Sequence, residues 1–299
     1  MSERRVTRRQ FVTAAIAAAG VARATKIRPQ ERDASKLARV AIMSLCFNSI
    51  LKNAARADDP LRTLDILDLP QMLADRYGVH NVELQHAHFP STEAAFLNEL
   101  RDRLARSKSQ VTNINLEFGP QNISADDAML RQQAIDRTKE WIDTAAALGC
   151  PRIMVNQGQL SADKKDIAIA ALKAMGDYGK SKNIMVAMEN RGSGAAGQSP
   201  AAWVLLVEVI KGAGTYANCD LGNFPDQETQ HAGIRGMLPL TDGNCHVKLN
   251  PSRYDLPAAL ALVRELGYKG LYSIEAGGGS GADPHAAVQR IYDVLLANI

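Results

Sequence analysis

Nothing in this 299-residue sequence has the length and apolarity of a membrane span. Its apolar stretch near the start, Phe11 to Ala22, falls short of the roughly 20 residues that cross a bilayer, and no later segment qualifies. Paired cysteine spacings are missing as well. Cys46, Cys150, Cys219 and Cys245 form no CxxC, which argues against a zinc ribbon. No cysteine lies near residue 24 to carry a lipid anchor, so no stable membrane anchor is expected. A real charge excess is also lacking. Residues 1–24 hold five arginines and one glutamate, so without them the formal charge falls from +3 to about −1. That removes any general attraction to nucleic acid. There is no sign of a second domain. An apolar content of 46% and a charged content of 22% are those of a globular chain, and the length suits one α/β barrel.

The start reads as a leader rather than as fold. Arg4, Arg5, Arg8 and Arg9 precede the Ala-rich apolar stretch, and Ala22-Arg23-Ala24 offers a small-x-small cleavage site. Thr7-Arg8-Arg9-Gln10-Phe11-Val12 is similar to a twin-arginine export motif. The expectation is a signal over 1–24, a linker over 25–38, and a mature protein that is periplasmic or otherwise exported. The competing reading of 1–24 is a basic segment that is disordered or lies on a membrane surface. The four cysteines are expected as buried free thiols, with pairing in an oxidising compartment as the alternative.

Four short apolar runs each lead into one metal-type ligand. Ile184-Met-Val-Ala-Met188 ends at Glu189, Tyr216-Ala-Asn-Cys219 at Asp220, Asn244-Cys245 at His246, and Leu271-Tyr-Ser-Ile274 at Glu275. The gaps are 31, 26 and 29 residues, close to the roughly 31 per unit of an eightfold barrel of about 250 residues. Strand carboxyl ends converge on one pocket in such a barrel. The spacing therefore predicts that Glu189, Asp220, His246 and Glu275 hold one divalent metal, with Mn, Mg, Co and Zn all suited to this oxygen-rich, imidazole-containing set. Any one of these acids taken alone would more often be a solvated loop residue or a helix cap.

Taken in order, residues 39–299 alternate strand and helix eight times. The first strand is read as Arg39 to Cys46, and the last helix as Ala282 to Leu296. The alternation predicts a parallel α/β fold closing as a single (β/α)8 TIM barrel. Lys248 shares a strand face with His246 by the two-residue period, and is expected either on a substrate oxygen or in an ion pair with one of the acids. Glu117 and Gln157 end strands three and four, where they can meet hydroxyls. Arg253, after strand seven, is placed to meet an anionic group, a solvated arginine being the plainer outcome. Gly277 to Gly281 could cradle a phosphate, a weak signal by itself.

These residues carry a resemblance. Tyr77-Gly78 with Val82-Glu83-Leu84, Met188-Glu189-Asn190, Cys219-Asp220-Leu-Gly-Asn223, His246-Val-Lys248 and Ser273-Ile-Glu275 resemble the xylose isomerase-like barrel superfamily, over essentially the whole mature chain. That group includes sugar-phosphate isomerases and epimerases, ketose 3-epimerases, inosose dehydratase and AP endonucleases. The resemblance implies one divalent-metal site at Glu189, Asp220, His246 and Glu275. It further implies that Glu189 and Glu275 exchange a proton on substrate carbon, and that His86 and His88 touch the sugar. Two departures stand out. Asn223 occupies the place where many ketose epimerases carry His, and the sequence after His246 lacks the Asp-x-His that AP endonucleases need for three zinc ions.

The expected function is an exported, metal-dependent sugar isomerase or epimerase that abstracts a proton next to a carbonyl. The alternatives are a lyase or dehydratase on a keto-sugar or keto-inositol, and a non-catalytic sugar-binding barrel. The partner expected is a small sugar or sugar derivative, not nucleic acid. A homo-oligomer is compatible with the sequence.

Overall fold

Strands form here where short runs of Val, Ile, Met and Ala lie between turn residues. Val40-Ala-Ile-Met43 is buried at all four positions, as in a parallel strand covered on both faces. The computed structural model describes residues 33–53, 56–191, 202–277 and 283–299. The expected leader, most of the loop after Glu189 and the glycine run from 278 to 281 lie outside them.

Eight strands form the sheet: β1 (Val40–Met43), β2 (Asn81–Gln85), β3 (Gln110–Asn115), β4 (Arg152–Val155), β5 (Met185–Glu189), β6 (Tyr216–Asp220), β7 (Thr241–Val247) and β8 (Leu271–Ile274). They are hydrogen-bonded in sequence order into a closed barrel, and β8 pairs in parallel with β1. Helices α1 (Leu69–Tyr77), α2 (Ala94–Arg106), α3 (Ala128–Leu148), α4 (Lys165–Ser181), α5 (Ala202–Ala213), α6 (Gln227–Met237), α7 (Leu256–Glu265) and α8 (Pro284–Asn298) each follow the strand of the same number. The fold is the single TIM barrel that the eightfold alternation predicts.

The helix ends are written locally. Asp127, Asp226, Asp255 and Asp283 cap α3, α6, α7 and α8 by accepting backbone N–H groups of the first turn. Gly149 ends α3 at φ 70°, a left-handed conformation that costs glycine little. The first strand is shorter than expected. After Met43 the chain turns into a single 3-10 segment, Ser44–Phe47, and the Ser44 hydroxyl accepts the Gln85 N–H at 2.9 Å. A side-chain bond replaces the ladder bond there. One turn of helix, Ala34–Leu37, precedes β1.

The apolar core lies between strands and helices, while much of the barrel interior is polar. At its amino end, Arg152 of β4 pairs with Asp242 of β7 at 3.3 Å, both side chains nearly sealed from solvent. Burial pushes the Asp242 carboxyl up to about 6, against the pull of Arg152. All four cysteines are free and buried. Cys219 and Cys245 face each other across the β6–β7 pairing. Burial pushes the Cys46, Cys150 and Cys245 thiols up to about 12. No helix among the described residues is long and apolar enough to cross a membrane.

Candidate metal and substrate site

The carboxyl ends of β5, β6, β7 and β8 bring Glu189, Asp220, His246 and Glu275 together, with potential ligand atoms all within 4.8 Å of one another. Register explains the meeting. Asp220 lies opposite His246, and His246 opposite Ser273, one residue before the end of β8. Asn190 locks two of the strand ends. Its side chain accepts the Asp220 N–H at 2.8 Å and donates to the Asp220 carbonyl at 2.9 Å. One Asp220 carboxylate oxygen accepts the Gly222 N–H at 2.6 Å.

His246 is the hub. Its Nδ1 lies 2.7 Å from Glu189 Oε1 and 3.1 Å from Glu275 Oε2. Its Nε2 lies 2.6 Å from Glu83 Oε1. Burial disfavours a charged ring, but Glu83 and Glu189 reverse that and hold the imidazole well above its ordinary pKa. Glu83 is a carboxylate in a cage of amides. Asn115 donates to Oε1 at 2.6 Å, Asn113 to Oε1 at 3.1 Å, and Asn244 to Oε2 at 3.2 Å. Burial would raise its proton affinity, yet His246 and the donors around it pull the carboxyl down to about 2.

Cationic side chains surround the other acids. Lys248 Nζ sits 2.7 Å from Asp220 Oδ2, 2.9 Å from Glu275 Oε1 and 3.0 Å from Asn223 Oδ1. Arg191 Nε lies 3.0 Å from Glu189 Oε2, and the same guanidinium pairs with Glu117. Burial raises Glu189 above the usual carboxylate range. Burial presses the same way on Glu275, but His246 and Lys248 outweigh it and Glu275 falls below that range.

The donor set fits a divalent cation. Three carboxylates and one imidazole nitrogen converge, and oxygen with imidazole nitrogen suits Mg, Mn, Co or Zn. Nδ1 faces the Glu189 and Glu275 carboxylates, while Nε2 is committed to Glu83. That is the carboxylate–histidine pairing by which a second carboxylate orients a ligating ring. Among the described residues, five carboxyls, of Glu83, Glu117, Glu189, Asp220 and Glu275, meet three cationic groups here.

The remaining expected site residues lie in three places. Gln157, Asn190, Arg191 and Asn223 line a narrow cleft with Trp203 and Phe224, and Gln157 Oε1 is buried there with no partner among the described residues. Arg253 lines a separate cavity that also touches Lys248, Asn223 and Glu275. His86 and His88 stand in a 3-10 turn just past β2. His86 accepts the Glu117 N–H at 3.2 Å and packs edge-on against Phe118 and Trp141. His88 Nδ1 is 2.8 Å from the Ser44 hydroxyl, and its Nε2 is 3.3 Å from Asn48 Oδ1. Asn48 Oδ1 only accepts, so Nε2 carries the ring proton. Burial keeps His88 neutral, and Nδ1 then accepts from the Ser44 hydroxyl.

Glu83, like Arg191, is a residue for which sequence reasoning assigned no role. A signal exists: Asn81, Glu83 and Gln85 alternate along β2, and Asn113 with Asn115, Asn218 with Asp220, and Asn244 with His246 repeat that period on β3, β6 and β7. Polar residues at every second position of a strand buried on both faces mark a polar barrel interior.

A family model described as xylose isomerase-like TIM barrel matches residues 72–296. Among curated proteins, none matches the chain by sequence. Solved structures share the shape. D-psicose 3-epimerase from Clostridium cellulolyticum H10, determined with D-tagatose, is 12% identical at a TM-score of 0.64, over 86% of this chain and 96% of that one. L-ribulose 3-epimerase is 14% identical at 0.66, over 87% and 95%. A xylose isomerase-like TIM barrel protein from Mycobacterium smegmatis, in complex with magnesium, is 16% identical at 0.60, over 88% and 98%. At these identities the likeness is one of fold.

Proposed function

Because the chain belongs to the xylose isomerase-like TIM barrel family, we propose that it is a metal-dependent sugar isomerase or epimerase that moves a proton on a carbon next to a carbonyl. The observation that carries this reading is the convergence of Glu189, Asp220, His246 and Glu275 within 4.8 Å. Two epimerases of ketoses and a magnesium-bound barrel among the structural relatives support it.

Glu189, Asp220, His246 and Glu275 would hold the metal, which supplies Lewis acidity toward a carbonyl and its neighbouring hydroxyl. The rest falls to the chain's own side chains. Glu83 keeps the His246 ring in one orientation through Nε2. Glu189 and Glu275 reach in from β5 and β8. One of these carboxylates takes the proton from substrate carbon and the other returns one. Lys248 and Arg191 balance the charge of the acids and offer N–H donors to substrate oxygens.

The test is deuterium exchange. Metal-loaded protein incubated in D₂O with a panel of ketoses should place deuterium at a carbon next to the carbonyl. Absence of exchange on every sugar would turn the reading toward a binding barrel. Glu275→Gln should retain metal, since an amide oxygen still ligates, yet lose exchange by at least about 100-fold. Near wild-type exchange in that variant and in Glu189→Gln would reduce both residues to ligands.

We also infer that the chain is exported, from Arg8-Arg9 and the apolar stretch after them. Changing both arginines to lysine should trap the precursor in the cytoplasm, and cell fractionation reads the result.

A further inference from the structure

The cavity that opens beside Glu275 has a volume of about 350 Å³, in the range that small ligands occupy. Its floor is the site described above: Glu275, Lys248 and Asn223 all line it. Its outer wall comes from two elements distant in sequence, Arg253 in the loop after β7 and Arg290 on α8.

These two guanidinium groups are unlike most of the described arginines. Arg39, Arg62, Arg103, Arg131, Arg137, Arg152 and Arg191 all bond through their side chains to carbonyls, amides or carboxylates. Arg253 and Arg290 have no side-chain hydrogen bond or ion pair among the described residues, and both are exposed. The acid at the floor, Glu275, is already taken by Lys248 at 2.9 Å. Lys248 is in turn committed to Asp220 and Glu275, so it leaves its charge at the floor. The Arg253 loop has a set shape. Arg253 N–H and Tyr254 N–H both donate to the Asn250 carbonyl, at 3.0 and 3.2 Å, and the Tyr254 hydroxyl donates to the Lys248 carbonyl at 3.1 Å. Both guanidinium groups line the one cavity, and neither has an ion-pair partner among the described residues. A group with two anionic oxygens supplies a counter-charge and matches the planar fork of donors that arginine presents.

We propose that this cavity is a subsite for an anionic group, a carboxylate or a phosphate, carried by the substrate several atoms from its reacting carbon, and held by Arg253 and Arg290. The proposal rests on the enolising reading above and narrows its substrate from sugars in general to acidic sugars or sugar phosphates. A neutral hydroxyl tail would give this pair of cations nothing to neutralise.

Binding isolates the subsite. Full-length protein is titrated calorimetrically, at low ionic strength so that exposed charges are not screened, with D-fructose, D-fructose 6-phosphate and D-fructuronate, three probes on one ketohexose skeleton. At least one charged probe should bind about tenfold more tightly than D-fructose. The probe that gains tells phosphate from carboxylate. Arg253→Gln with Arg290→Gln should abolish the preference, while Arg101→Gln with Lys211→Gln, which removes the same charge from exposed helix positions, should keep it. Equal affinity for all three probes, or a preference that survives in the Arg253/Arg290 variant, overturns the subsite. Deuterium uptake is read separately in the same samples. Exchange without charge preference sinks the subsite and spares the reaction, and charge preference without exchange on any probe does the reverse.

Discussion

At the scale of single residues, the weight of the site falls on a side chain that touches no substrate. Glu83 bonds to Nε2 of His246 at 2.6 Å and is itself held by three asparagine amides. A ring fixed on one nitrogen presents the other in a fixed direction. Glu83→Gln keeps the shape but removes the charge that draws the Nε2 proton. It should weaken Mn²⁺ binding by about 10- to 100-fold, the usual loss when the partner of a ligating histidine is changed. Titration followed by electron paramagnetic resonance would measure this, and unchanged affinity would reduce Glu83 to a barrel filler. The convergence of Glu189, Asp220, His246 and Glu275 was legible from their spacing because strand ends recur at a fixed interval. Glu83 was not, because an acid in mid-strand has no neighbour in sequence that shows what it faces. His86 and His88 follow the same logic in reverse. Once β2 ends and the chain turns, the alternation of faces no longer says where a side chain points.

At the scale of elements, the narrow cleft by the site depends on what α6 leaves out. Gly233 and Gly236 lie three apart on that helix. A Cβ at Gly233 would overlap the Phe224 ring, and one at Gly236 would overlap Trp203. Both aromatic rings line the cleft beside Gln157 and Asn223. Each glycine costs the helix about 1 kcal/mol of propensity relative to alanine, and here the missing methyl makes room for a ring. Gly233→Ala gains propensity but overpacks. It should destabilise the protein by about 1–3 kcal/mol in urea unfolding, with a change in the near-ultraviolet spectrum as Phe224 is displaced. A stabilised variant would show that the ring moves freely. The sequence shows two glycines in a helix; that they seat aromatics from β6–α6 and α5 needs the tertiary contact.

At the scale of the whole molecule, proton uptake tests the packing of the β1 and β2 ends against each other. Burial, with His86 and Arg62 nearby, pulls His88 down to about 4 from an ordinary 6.5. The folded chain then takes up this proton less readily than the unfolded chain. The contribution of His88 to stability is complete above about pH 6.5 and is lost as pH falls toward 4. The melting-temperature gap between wild type and His88→Gln should therefore be widest near pH 7 and shrink steadily below 6.5. A constant gap across that window would mean that His88 is solvated.

The buried thiols have a further use. Cys219 and Cys245 stand side by side on β6 and β7, while Cys46 follows β1 and Cys150 precedes β4, each sealed from solvent. None can meet an aqueous disulfide reagent until the wall around it opens. At high reagent concentration the labelling rate becomes the opening rate itself, so the chain carries four clocks. If the barrel opens as one unit, all four should run at one speed in peptide mass analysis. If Cys219 and Cys245, on β6 and β7, run ahead of Cys46 and Cys150, the wall that carries Asp220 and His246 is the first to come apart.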